Sequence, residues 1–283
     1  MADKGIAKVQ YIGSAGQVMP QGAGVGDWDF IYSVSTVKDR ARNIGDRVVL
    51  PDGRAFRYSK SGAICQAGRG NIIYNKIGVV GVDYAILPVG AVVGARQVTL
   101  TAVVAQTEDV LRGGIIALKQ TNAADDATLQ WRGIVGNTAV TAAQIAAGSP
   151  YDRVTVYLDA PVSIVLTTLS YAFCMPSPYS DIRYTDNESL SDSCSMGGMA
   201  ATYVNAANKY FWLQTWGLCV FNHQGECGTT AHGRGLVWRY DGSVQHSDPA
   251  SPIGGEFQQI AGYIMDNTGG DTGATFDFMT VNP

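Results

Sequence analysis

The sequence predicts a mainly β protein: antiparallel barrels or sandwiches with glycine-rich loops and at most one short helix. Three observations carry that reading. Only 16% of the 283 residues are charged while 46% are hydrophobic and 34 are glycine, a balance that suits many short strands joined by glycine turns. Apolar runs are short, rich in Val, Ile and Thr, and bounded by Gly, Pro or Asp. The stretch from Tyr210 to Phe221 runs twelve residues with no charge, no proline and two of the five tryptophans. Its aromatic and β-branched side chains suit a pleated surface covered on both faces.

Taken in order, residues 1–30 are polar and glycine-rich, with Pro20 among Gly13, Gly16, Gly22, Gly24 and Gly26. Such a segment buries little and needs another surface to order it, so an extended arm is expected over 1–44. Val48 and Leu50 lead into Pro51, Asp52 and Gly53, and Phe56 and Tyr58 follow. Asp-Gly between alternating apolar residues is a hairpin signal, because glycine takes positive φ without penalty; Val48 and Leu50 are expected opposite Phe56 and Tyr58. Runs at 77–82, 86–93 and 98–104 read as successive core strands, and 111–118 with 129–135 as a hairpin around the polar loop 121–127. Thr141 to Ala147, with Gly148 as a stop, is the one good helix candidate. Strands are expected at 153–159 and 162–167, and a closing hairpin joins 260–265 to 274–281. The organisation expected is an arm over 1–44, a β-domain over 45–175 and a β-rich part over 176–283. Within 210–221, Tyr210, Trp212, Gln214 and Trp216 alternate with Phe211, Leu213 and Thr215, and Gly217 marks a bulge or a close backbone approach.

Composition narrows the function. The net charge is −4, with no basic block for a nucleic-acid backbone. No segment approaches the about 20 apolar residues of a membrane helix. The start, Met1 to Gly5, lacks a signal-peptide core, so the chain is expected to be made in the cytosol and kept or assembled there. Five cysteines at scattered spacings read as free buried thiols. P-loop, nucleophile-elbow, zinc-protease and dinucleotide signatures are absent.

Weaker constellations stand beside these. Cys219, His223, Cys227 and His232 offer sulfur and imidazole to a tetrahedral zinc ion, but at spacings unlike a paired knuckle; buried thiols with loop histidines explain the same residues. Asp266 to Asp271 offers oxygen ligands and reads more simply as a glycine turn. Asp181, Asp186, Glu188 and Asp192 could include the carboxylate pair of a glycosidase, and Asp125 with Asp126 reads as a solvated loop. Tyr179, Tyr184, Trp238 and Tyr240 lie in or near loops and could stack on sugars, as in a tail-fibre or receptor-binding protein.

Several stretches together resemble the decoration, or cement, proteins of tailed-bacteriophage heads. Gly45 to Ala63 looks like their G-x-R-V…D-G-R-x-F-x-Y-x-K-x-G-A segment, and Gly133–Ala139 and Val154–Val162 look like the middle of such chains. Tyr210 to Gly217 resembles their aromatic Y-x-W-x-Q-T-W-G strand, and 260–265 with 276–281 their closing hairpin. Residues 1–44 match nothing in that pattern, and loops 176–209 and 222–256 are longer and richer in Cys and His than it has. The resemblance implies a non-enzymatic, cofactor-free virion protein on the capsid exterior, assembled in the host cytoplasm. Its partners would be the major capsid protein and copies of itself, a trimer for preference. The interface candidates are Tyr11, Trp28, Phe30, Trp212 and Trp216.

Overall fold

The computed structural model describes residues 11–12, 28–74, 85–120, 129–184, 194–223, 234–247, 259–265 and 275–281. It is mainly β. The strands are β1 (Tyr11–Ile12), β2 (Arg47–Val49), β3 (Ala55–Lys60), β4 (Gly70–Ile73), β5 (Ala85–Ile86) and β6 (Gln97–Thr101). Then come β7 (Ile115–Lys119), β8 (Gln130–Asn137), β9 (Arg153–Leu158), β10 (Tyr171–Met175), β11 (Ile182–Arg183) and β12 (Met196–Ala200). The last are β13 (Tyr210–Phe221), β14 (Gly235–Trp238), β15 (Val244–His246), β16 (Ile260–Ile264) and β17 (Thr275–Met279). Among the described residues there is one α-helix, α1 (Ala142–Ala147), and none long and apolar enough to cross a membrane.

The chain divides into two compact units. One comprises residues 1–74 and 179–283; the other, 75–178, is inserted within it. The outer unit holds an eleven-stranded antiparallel sheet with the path β1-β2-β3-β13-β17-β16-β14-β15, and with β12 joining β13 to β4 and β11 pairing β4. The inserted unit holds a six-stranded antiparallel sheet in the order β5-β10-β7-β8-β9-β6.

β13 organises the outer unit because it feeds three separate cores. Trp212 packs with Ile31, Val48, Leu50, Phe56 and Tyr58. Phe211 and Leu213, pointing the other way, pack with Cys65, Tyr179, Ile182 and Val204. Farther along, Cys219 and Phe221 join Leu236, Trp238, Val244, Ile264 and Met279. The inserted unit has its own core, drawn entirely from residues 87–174, with Leu100, Leu111, Ile116, Leu118, Val154 and Val156 among its members.

The expected elements map onto this as follows. The Asp52-Gly53 hairpin forms, with Gly53 at φ +87° and Asp52 accepting from the Arg54 amide. Val48 lies opposite Phe56, but Leu50 faces Arg54 and Tyr58 faces Asp46. The tight turn at Pro51–Gly53 sets the register two residues short of the one that would put Val48 opposite Tyr58 and Leu50 opposite Phe56. All four apolar side chains still share one core. The hairpin of β7 and β8 forms, with Ile115 opposite Gly133. Helix α1 starts on a capping box, Thr141 with Gln144, and ends at Gly148 with φ +70°.

Two expected strands are corrected. Residues 86–93 contribute only the end of β5 and a single bridge from Ala91 to Leu166, and 162–167 contributes only the other side of that bridge. Pro88 and Pro161 cannot donate to a ladder. Gly90, meanwhile, sits where a Cβ would lie 2.5 Å from the Leu166 carbonyl, and backbone hydrogen bonds at Leu87–Ser170, Ala91–Leu166 and Gly94–Val162 hold the segments together at intervals without a continuous ladder. The run 77–82 lies outside the described residues.

Candidate functional site

β13 carries a bulge, and the bulge creates the site. Opposite β3 the register shifts between Gln214 and Trp216, so Thr215 is the extra residue. Gly217 follows at φ +94°, where a Cβ would stand 2.8 Å from the Cα of Arg54. The extra residue inverts the phase of the strand. Before the bulge both faces are covered; beyond it Cys219 and Phe221 point into the core while Leu218 and Val220 point out.

β17 and β16 continue that outward face. Leu218 stands opposite Phe278, which stands opposite Tyr263, giving one apolar rung across three strands. Val220, Phe276 and Met265 make the next rung. Trp216 closes the end, its ring edge-on to Phe278 at 5.4 Å, while Phe278 and Tyr263 stack at 5.2 Å with planes 12° apart. Leu218, Val220, Tyr263, Met265 and Phe276 are exposed, and Trp216 and Phe278 are half-buried. These seven residues carry no charge. Single exposed apolar residues need no explanation, but a contiguous set on a rigid sheet marks a contact surface.

The reverse of the same strands holds a buried polar cluster. His223 Nε2 lies 2.9 Å from Asp277 Oδ2, and the two side chains are 2% and 0% exposed. The same carboxylate oxygen accepts the Phe221 amide at 3.2 Å, and the Cys219 thiol donates to the Asp277 carbonyl. Burial, with the Asp277 charge adding to it, pushes the Cys219 thiol well above its ordinary value. A protonated thiol is a poor nucleophile and a poor metal ligand. Cys219 and His223 both bond Asp277, while Cys227 and His232 lie outside the described residues. Among the described residues no three of His, Cys, Asp or Glu gather as a metal-holding group.

The remaining sequence candidates are placed as follows. Tyr11 pairs with Val48 through β1 and β2. Phe30 sits edge-on to Trp212 at 5.6 Å, and the Arg42 guanidinium lies over both rings, 4.6 and 4.8 Å from their centroids. Trp28 packs on the same core. Trp212, at 2% exposure, belongs to the interior of its own chain, and Trp216 lies on the outward face.

The aromatics considered for sugar stacking are corrected in part. Trp238 lies on β14 with no exposed surface and Tyr179 is buried beside Ile182, so neither offers a ring face to a ligand. Tyr184 and Tyr240 are half-buried, against Arg69 and Arg239. Asp181 holds Arg183 through both carboxylate oxygens at 2.6 and 2.9 Å. Asp125, Asp126, Asp186, Glu188, Asp192 and the Asp266–Asp271 turn lie outside the described residues.

Sequence reasoning missed Leu218, Val220, Tyr263, Phe276 and Phe278 as site residues. β13 and β16 have apolar residues at both odd and even positions, so periodicity does not separate their faces. In β17 the alternation of Phe276 and Phe278 with Thr275 and Asp277 points the phenylalanines inward, whereas Phe276 is exposed and Asp277 buried. The signal available was Gly217, read as a bulge but not followed to its consequence for the face beyond. Comparison with protein-family models, with curated proteins and with solved structures finds no match to this chain.

Proposed function

We propose that the chain is a structural virion protein that binds the outer surface of a bacteriophage capsid and stabilises the shell, with the major capsid protein and further copies of itself as partners. The observation that carries the reading is the charge-free outward face of β13, β17 and β16, centred on Leu218, Phe278 and Tyr263. Aromatic and aliphatic side chains held at fixed spacing on a sheet are what the desolvated centre of a protein interface uses. The order of the decoration-like stretches from Gly45 to Val281 supports the same reading. A protein that binds the assembled lattice and not its free subunits shifts the equilibrium toward the intact shell. Copies joined in a ring, a trimer on the resemblance, add avidity to modest individual contacts. Chemistry at a reactive site plays no part in such a role.

Two measurements test it. Quantitative mass spectrometry of purified particles should give several hundred copies, and labelling should place them on the head; a handful at the tail would refute the reading. In co-sedimentation with shells, Leu218→Asp should lose binding at least about tenfold, because it buries an unpaired carboxylate in the contact, while its melting temperature stays near wild type. Undiminished binding by this variant would remove the face from the contact.

A further inference from the structure

The inserted unit presents a second outward face, on β10, β7 and β8. Ala117 pairs with Trp131 on one side and Phe173 on the other, and Ile115 pairs with Gly133 and Met175. Trp131 is 68% exposed, Ile115 42%. Inward-facing Ile116, Leu118 and Cys174 fill the core behind them, so this sheet is apolar on both sides.

Among the described residues, Lys119 and Asp159 stand at opposite ends of this face. Lys119 lies at the far end of β7, two residues from Ala117 along the outward side. Asp159 lies at the opposite end. Its carboxylate occupies the space over Gly133, where a Cβ would meet Oδ2 at 2.6 Å, and Oδ1 accepts the Gly133 amide at 3.0 Å. At about 3.4 Å per residue, Lys119 and the Ile115–Gly133 rung stand about 14 Å apart. Among the described residues the face is therefore an apolar strip between the Lys119 ammonium and the Asp159 carboxylate, with the Arg96 guanidinium bonded to the Asp159 main-chain carbonyl at 3.0 Å at the same end.

We propose that this face binds the same face of a second copy of the chain about a two-fold axis. An axis lying between the two sheets and running across the strands sets Trp131 against Trp131. It also brings each Lys119 to the Asp159 end of the other copy, one strand spacing away and within reach of a four-carbon stem. The two ion pairs form together, and a large exposed indole is buried at the centre, where interfaces concentrate their energy. A partner of fixed single charge would satisfy only one end. The inference rests on the inserted unit alone and does not depend on the shell reading.

Sedimentation velocity and light scattering of the full chain over a concentration series test it. An even number of chains per particle is expected: two, or six where two trimeric rings pair. Trp131→Asp should weaken the association at least about a hundredfold, as loss of a central anchor does. Lys119→Asp and Asp159→Lys should each weaken it at least about tenfold, and the two together should restore it to within about threefold of wild type. Asp159→Lys also loses the bond to Gly133, so a second measurement stands apart from it: Ala117→Cys, on the axis, should be joined in pairs by a bis-maleimide that spans the about 10 Å between face-to-face sheets. A single chain or an odd-numbered assembly at all concentrations overturns the proposal, as does an association that survives Trp131→Asp. So does an Ala117→Cys variant that stays unlinked.

Discussion

At the residue scale, the thiols are the groups whose protonation folding controls. Cys65 and Cys174 are buried, with exposures of 0% and 3%, and burial pushes both up to about 12 from an ordinary value of 9.0. Cys219 is shifted in the same direction. The free-thiol reading of the sequence fits these three, and its reason is now specific: desolvation dominates, because each sulfur lies in an apolar core. The sign of the linkage follows. A group that keeps its proton longer when folded leaves stability flat below the unfolded value. It then makes the unfolded state the better acid as pH rises. Denaturant midpoints should thus be constant from neutrality to about pH 9 and fall between about 9 and 12. Cys65→Ser, Cys174→Ser and Cys219→Ser together should flatten that part of the fall that the thiols cause. In the native protein at neutral pH these three thiols should resist a disulfide reagent and react only on unfolding; prompt labelling of all three without denaturant would contradict their burial.

At the scale of the element, β13 shows what could and could not be read from sequence. Its existence, extent and central place follow from twelve uncharged residues with aromatic and β-branched character, and the strand spans Tyr210–Phe221 as expected. The assignment of faces holds for Tyr210 to Leu213, which split cleanly between two cores. It fails from Thr215 onward, since one extra residue exchanges the faces and both sets of side chains are apolar. Only a register against β3 reveals that slip, and register is a property of two strands. Gly217 is the local cause and the local test. With φ +94° and the Arg54 backbone 2.8 Å from a would-be Cβ, Gly217→Ala should cost about 1–3 kcal/mol, read as a lower urea midpoint at unchanged slope. Gly53→Ala makes the useful comparison: its φ is +87° but nothing lies within 4 Å, so strain without collision should cost less. Equal losses at the two sites would mean that the close approach to Arg54 contributes nothing.

For the whole molecule, the decisive feature is where the inserted unit enters. It leaves the outer unit after β4 and returns just before β11, and those two strands pair, Ile73 opposite Ile182. The Tyr74 amide donates to the Asp181 carbonyl at 2.9 Å. The two ends of residues 75–178 therefore start from adjacent points, as the ends of a hairpin loop do. A chain read from one end to the other does not reveal this, because nothing in the composition near residue 75 or 178 says that the strand before and the strand after are neighbours. The consequence is testable. Joining Ile73–Tyr74 to Tyr179–Ile182 through a short Gly/Ser loop closes a gap the outer unit already spans, and loop length has only a weak effect on closure entropy. The outer unit keeps β1–β4, β11–β17 and all three of its cores. It should melt cooperatively, within about 10 °C of the full chain, because about 1–2 kcal/mol shifts a domain of this size by a few degrees. The same deletion separates the two faces. Pairing about the two-fold should vanish with Trp131, while binding to shells through Leu218, Phe278 and Tyr263 should persist without the avidity of paired copies. A shortened chain that folds yet still pairs would move the two-fold contact into the outer unit, and one that folds but ignores shells would move the shell contact into the inserted one.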